Sequence, residues 1–192
     1  MPAEYIPLLK WKQGEQLALA NLQSAERQRV CPVLEIIPSA VQGKTAGPDG
    51  LAPDTSGTLV KDIISAWGSN PVFVDFTPLD PEWRPTSKKH FIDHFFEEAR
   101  HVGQNWIPVA TMQSDAAFRT AVAAATKVDN RGACIRVNIN DVVDDAFPKE
   151  LKELRKALGL TPAELDLLID AAKGPSGNNG NGNGEELVVH AR

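Results

Sequence analysis

Val72-Phe73-Val74-Asp75 is a short apolar phrase that ends on a charge, and the chain repeats it. Ile6-Pro7-Leu8-Leu9-Lys10, Pro32-Val33-Leu34-Glu35, Ala133-Cys134-Ile135-Arg136 and Leu167-Leu168-Ile169-Asp170 end the same way, and Trp106-Ile107-Pro108-Val109-Ala110 ends on Thr111. Apolar runs of this length, rich in β-branched and aromatic residues, read as buried strands. Helical stretches separate them, so the pattern predicts a parallel sheet flanked by helices. Charges at the same end of parallel strands converge on one place, where α/β proteins build their sites.

Working outward, the first strand (Tyr5 to Lys10) leads into a helix with Leu17, Ala18, Leu19 and Leu22 on its apolar face. The second strand runs from about Cys31 to Ile37, and an irregular Gly/Pro/Ser-rich loop is expected from Ser39 to Thr55. A helix follows over Gly57 to Trp67, then a strand over Val72 to Phe76. Ser87 is the expected cap of a helix reaching Val102, and Ser114 or Asp115 that of an Ala-rich helix reaching Lys127. Strands over Trp106 to Thr111, Ala133 to Asn138 and Leu165 to Ile169 complete the set, with a helix opened by Pro148 before the last.

Two architectures fit this alternation, an open doubly wound sheet and a (β/α) barrel. Strand side chains alternate between faces. One face collects Leu8, Lys10 and Lys12; Val33, Glu35 and Ile37; Phe73, Asp75 and Thr77; Cys134, Arg136 and Asn138; and Asp166, Leu168 and Asp170. An open sheet would bury these charges under a helix, which is costly unless they are paired. A barrel points them into its lumen. The expected fold is therefore α/β with TIM-barrel-like (β/α) repeats, about six units, an incomplete barrel. A full barrel needs eight units and roughly 250 residues. The chain then reads as a shortened form of a longer protein, as one that closes by dimerising through its sheet edges, or as an open sheet. Residues 1–172 form the expected barrel-like domain, 173–184 a Gly/Asn-rich flexible linker, and 185–192 a tail able to add one short strand through Leu187-Val188-Val189.

The chain has 192 residues, 42% hydrophobic and 23% charged, with a net charge of −5. That balance is ordinary for a globular protein and disfavours generic binding to nucleic-acid backbones. Cys31 and Cys134 lie in or beside separate strands and read as buried thiols, which suits a reducing cytoplasm. There is no secretory h-region and no apolar stretch approaching the ~18 residues of a membrane span. The expectation is a cytoplasmic protein with no membrane contact.

Tyr5-Ile6-Pro7-Leu8-Leu9-Lys10-Trp11-Lys12-Gln13-Gly14-Glu15 resembles the opening of the phage-type beta protein family, and Val33-Leu34-Glu35-Ile36-Ile37-Pro38 is similar to its second strand. Phe73-Val74-Asp75, Cys134-Ile135-Arg136 and Leu167-Leu168-Ile169-Asp170 also look like later strands of that family. The resemblance spans about Tyr5 to Ala172. It implies a barrel-like fold and a bacterial or phage setting, and supplies no catalytic roles.

The charged strand ends carry the functional expectation. Glu35, Asp75 and Asp170 are the candidate catalytic groups for proton transfer, or ligands for a divalent metal as cofactor. Lys10, Lys12, Arg136 and Asn138 are the candidate ligand-binding groups for a small anionic, phosphorylated or nucleotide-like molecule. The competing reading is a buried ion-pair network, with Lys10–Glu35 and Asp75–Arg136 as its pairs. A function of another class is a non-catalytic protein-interaction module in phage–host interaction. His90 and His94 have a spacing that suits two metal ligands, but their surroundings read as a solvated helix face. Gly-x-Ser-x-Gly, the Walker phosphate loop, Gly-x-Gly-x-x-Gly behind a strand and Cys-x-x-Cys are all missing from the sequence, so no catalytic or structural-zinc motif names a reaction.

Overall fold

The computed structural model describes residues 4–41, 55–79 and 89–170, and the backbone of the strand Val188–Ala191. Six strands form a parallel sheet in sequential order: β1 (Leu8–Lys10), β2 (Val33–Glu35), β3 (Phe73–Asp75), β4 (Ile107–Thr111), β5 (Ala133–Asn138) and β6 (Leu165–Asp170). Between them lie α1 (Gln13–Asn21), α2 (Ser24–Arg27), α3 (Pro38–Val41), α4 (Ser56–Trp67), α5 (Phe91–His101), α6 (Ala116–Asp129), α7 (Ile139–Val142) and α8 (Phe147–Ala157). A seventh strand, β7 (Val188–Ala191), runs antiparallel on the free side of β6, with Val188 opposite Asp170. The fold is mixed α/β: a curled, six-strand parallel half-barrel with alternating helices.

Strictly sequential order means that every crossover runs the same way, so the helices gather on one side of the sheet. The two faces therefore bury different things. Against the helices lie Leu34, Ile36, Val74, Phe76, Ala110, Ile135 and Val137, packed with Trp11, Trp67, Phe95, Phe96, Trp106 and Val122. On the opposite, concave face Val33, Phe73, Ile107, Val109, Cys134 and Leu168 form a second core with Cys31, joined by Ile6 and Leu8. One parity of each strand fills one core and the other parity fills the second, as the period-2 reading requires.

The register explains why the charged ends meet. Lys10, Glu35 and Asp75 are level across β1, β2 and β3. The same row continues through Val109 and Cys134 to Asp166. Arg136 stands two residues beyond that row, and Asp170 four. In a flat sheet these groups would climb away from one another, and β2 and β5 would stand about 14 Å apart, three spacings of ~4.8 Å. Curling and tilting the strands brings them together, which is the geometry of a closing barrel.

Several boundaries differ from those expected. The second strand is confined to Val33–Glu35, and the expected irregular loop opens with the helical turn Pro38–Val41. α5 begins at Phe91, and its cap is His90, whose Nδ1 accepts the Ile92 N–H at 3.3 Å. Ser87, the expected cap, lies outside the described residues, as do most of the loop and the Gly/Asn tract. α6 is capped by Asp115, whose Oδ1 accepts the Phe118 N–H at 2.8 Å. β6 extends to Asp170 and is introduced by a 3-10 turn, Pro162–Glu164, capped reciprocally by Thr161 and Glu164. The expected C-terminal strand forms, and it covers the edge of β6 that a longer barrel would pair with a further parallel strand.

Candidate functional site

Arg136 is the hub of the concave face. From β5 its Nη1 donates to Glu35 Oε1 on β2 at 2.9 Å and to Asp75 Oδ2 on β3 at 3.0 Å. Its Nε and Nη2 both donate to Asp170 Oδ2 on β6, at 3.2 and 2.6 Å. Four strands are thus tied by one guanidinium, whose planar fork allows several acceptors at once. The partners differ in burial: the Asp75 side chain is 0% exposed, whereas Glu35 and Asp170 each keep 12% and Arg136 keeps 16%.

Asp75 is held from two sides. Its Oδ1 accepts the backbone N–H and the hydroxyl of Thr77, at 2.8 and 2.6 Å, in an Asp-x-Thr turn that ends β3. Burial pushes its carboxyl above the ordinary range, although Thr77 and Arg136 oppose the rise. For Arg136 burial acts downward, but the bonds to Glu35 and Asp170 and the field of Asp75 outweigh it and hold the guanidinium above its usual value. The site therefore carries a fixed cation inside a set of carboxylates and is net negative when all are ionised. On the same face the Cys134 thiol is raised well above its usual value, by burial first and then by Asp166 and Asp75. Such a thiol is protonated and poorly nucleophilic.

The structure brings Glu35, Asp75, Asp170 and Arg136 together, and places the other expected residues elsewhere. Lys10 is level with Glu35 in the sheet, yet its side chain is exposed and no Lys10–Glu35 ion pair is present among the described residues. Of the two expected pairs, Asp75–Arg136 forms, and Glu35 turns to Arg136 as well. Lys12 stands at the start of α1, where the helix has no side-chain cap, and lines a polar cavity of about 260 Å³ with Gln13, Gln16, Ser39 and Asp62. Asn138 caps α7: its Oδ1 accepts the Asn140 N–H at 2.9 Å, and its own N–H donates to Asp141. Among the described residues no group of three His, Cys, Asp or Glu is arranged to hold a metal ion. The guanidinium of Arg136 occupies the centre that the three carboxylates share.

Residues 5–189 match the family model described as Beta protein. The chain belongs to that family. The match takes in the first two residues of β7 as well as all six parallel strands, and so runs past Ala172, where the resemblance read from motifs ended. No curated protein and no solved structure matches. In this Beta protein, no helix among the described residues is long and apolar enough to cross a membrane.

A second cavity of about 180 Å³ adjoins the hub at the C-terminal ends of β3 and β4. Phe76, Phe91, Ile92 and Phe118 line it, with Thr77, His90, Thr111 and Ser114 among its polar lining. Strand alternation puts Thr77 on the face of Asp75 but does not announce the bonds between them. The i, i+2 spacing of Asp75 and Thr77 was the available signal. His90 precedes α5, Thr111 ends β4 and Ser114 lies between β4 and α6, and no local pattern announces that they share a cavity.

Proposed function

We propose that the chain binds a small polar ligand at the C-terminal ends of its parallel strands, on a TIM-barrel-like scaffold of six (β/α) units. The carrying observation is the convergence of Glu35, Asp75, Arg136 and Asp170 from four strands on one end of the concave face. Arg136 is engaged by the carboxylates and so acts as the group that positions them. An anionic, phosphorylated or nucleotide-like ligand then takes its charge stabilisation from Lys10 and Lys12, the exposed cations at the end of β1 and the start of α1. Glu35 and Asp170, which keep part of their side chains open, accept hydrogen bonds from the ligand's hydroxyl or amino groups. In this reading a reaction, where one occurs, draws on Glu35, Asp75 and Asp170 for proton transfer, with or without a divalent metal carried in by the ligand. The setting that goes with it is the cytoplasm of a bacterium or an infected host.

Thermal shift against sugar phosphates, nucleotides and divalent cations tests this. A ligand at a hundred times its Kd adds about 2.7 kcal/mol, which raises the melting temperature by roughly 5–10 °C for a domain of this size. The rise should vanish in Lys10→Ala/Lys12→Ala and in Glu35→Gln while the unliganded melt of the lysine variant is unchanged. Failure of every anionic probe to shift the melt removes the anion from the proposal.

A second reading has its own observation. β7 covers the β6 edge, but among the described residues β1 has a parallel partner on one side only, and Tyr5 just before it is 64% exposed. A non-catalytic module in phage–host interaction would use that edge for a protein partner or a second copy. Sedimentation that depends on concentration, abolished by Tyr5→Asp, favours this reading. Monomeric behaviour at all concentrations removes the second copy.

A further inference from the structure

We infer that the cavity between the ends of β3 and β4 is a subsite for a single six-membered heteroaromatic ring, the size of a pyrimidine. It deepens the ligand-binding reading, since it opens beside the hub and shares a residue with it: Thr77 lines the cavity and bonds Asp75. Thr111, on its other wall, is level with Arg136 in the sheet.

Size sets the class. A closed, apolar protein cavity of about 150 Å³ takes one benzene ring, while drug-sized ligands need roughly 300 Å³ or more. At about 180 Å³ this cavity admits one ring and little else. The walls are aromatic. Phe76 meets Phe91 edge-on at 5.4 Å, and His90 meets Phe118 edge-on at 5.9 Å, with an interplanar angle of 85°. Mutually perpendicular rings around one space present both faces and edges to a guest, the arrangement aromatic groups prefer. These side chains are fixed: Phe76, Phe91 and Ile92 are buried in the helix-side core, and His90 is held by its bond to the Ile92 N–H.

The rim argues for ring nitrogens and oxygens over plain hydrocarbon. Ser114 Oγ accepts the Thr111 N–H at 3.0 Å and lies 3.3 Å from Thr111 Oγ1, so the two hydroxyls share one proton direction between them and leave another for a guest. Thr77 Oγ1 gives its proton to Asp75 and keeps lone pairs as acceptors. A guest with both donors and acceptors on its edge satisfies this rim, and an alkyl chain does not.

The test uses cytosine and uracil as free ring probes, and ribose 5-phosphate as a probe with no aromatic ring, on the full chain by protein NMR. Cytosine or uracil should shift the resonances of Phe76, His90, Ser114 and Phe118 saturably at millimolar concentration. Phe118→Leu, which keeps an apolar wall but removes the ring, should weaken that binding about two- to tenfold. Ser114→Ala should weaken it as well, and serves where Phe118→Leu loses its cooperative melt. No shift at these residues with either base overturns the inference, as does binding that both variants leave unchanged. Ribose 5-phosphate reports separately: if it fails to bind while the bases succeed, the phosphate reading of the mouth falls and the ring subsite stands.

Discussion

Replacing Arg136 by methionine removes the hub's cation while keeping an unbranched side chain of similar reach. It leaves Glu35, Asp75 and Asp170 facing one another with no counter-charge. Four hydrogen bonds to charged groups disappear, each with a net value of ~1.5–3 kcal/mol, an upper bound of about 6–12 kcal/mol. The real cost is smaller. Glu35 and Asp170 keep 12% of their side chains exposed and can turn to water, while Asp75, at 0%, must take up a proton. Breaking a buried ion pair from one side typically costs 3–5 kcal/mol. For a domain of this size that corresponds to a fall in melting temperature of about 6–20 °C at neutral pH. The deficit should depend on pH in a set direction. Arg136 opposes the rise that burial gives the Asp75 carboxyl, so without it Asp75 binds its proton still more tightly in the folded state, the variant regains stability as pH falls into the carboxylate range, and the gap to wild type narrows. Calcium should stabilise the variant more than the wild type, because three carboxylates around a vacated centre form an oxygen-rich cage. Calorimetric melts across pH, with and without calcium, measure all three effects. A variant that melts within a degree of wild type, with the same pH dependence, refutes the claim that this network holds the half-barrel closed.

Three further outcomes follow from particular residues. Because burial raises the Asp75 carboxyl, the stability it contributes is full below the ordinary carboxylate range and lost as pH rises through its raised value. The melting temperature of wild type relative to Asp75→Asn should therefore fall as pH rises from about 4 through that raised value, and a relative rise would mean that Arg136 and Thr77 outweigh burial. At Gly132 (φ 73°) an added Cβ would lie 2.0 Å from the Glu164 carbonyl oxygen, whereas at Gly103 (φ 74°) it would meet nothing within 4 Å. Gly103→Ala should cost about 1–2 kcal/mol from the left-handed backbone alone, and Gly132→Ala about 1–3 kcal/mol more, as read by urea denaturation. Truncation after Asp170 removes the four-residue pairing of β7 with β6. At ~0.5–1.5 kcal/mol per net hydrogen bond it should lower stability by a few kcal/mol, and light scattering should show association through the bared edge.

The strand ends were legible because each signal is local. Three or four apolar residues followed by a charge mark a buried strand, and alternation puts Glu35, Asp75, Arg136 and Asp170 on one face without any tertiary information. The pairing was only partly legible. Register sets Lys10 directly beside Glu35, so adjacency argues for that pair, yet Glu35 bonds Arg136 from three strands away. That choice depends on curl and strand tilt, which belong to the whole sheet and are written in no single run of residues. Helix starts fail for a different reason. Ser87 has the preferred capping chemistry, but His90 supplies an acceptor nitrogen beside the first buried phenylalanine of α5, and burial of Phe91, Ile92, Phe95 and Phe96 decides where that helix begins. The aromatic cavity is the least legible feature, because its walls come from the ends of β3 and β4 and the starts of α5 and α6, and nothing in one segment refers to the others.

The placement of the hub answers a physical problem that the curled half-barrel creates. Among the described residues nothing pairs β1 with the far side of the curled sheet to hold its curvature, so something must draw β2 and β3 towards β5 and β6. Leu168, Cys134, Phe73 and Val33 do this in the middle of the concave face through apolar contact. At the C-terminal end, where the lumen meets solvent, apolar residues would be half wetted and weak, and an arginine with three acceptors spans a gap that no aliphatic side chain fills. The same choice creates the site. On the ligand-binding proposal, carboxylates held rigidly by a buried guanidinium would lose little freedom when a ligand arrives, and Glu35 and Asp170 keep 12% of their side chains open to it. Removing one partner of such a network costs more than forming the whole of it gains, so its value lies in the geometry it fixes. On the ligand-binding proposal, Glu35 and Asp170 then present that fixed geometry to a ligand at the mouth, in addition to the bracing that Arg136 provides.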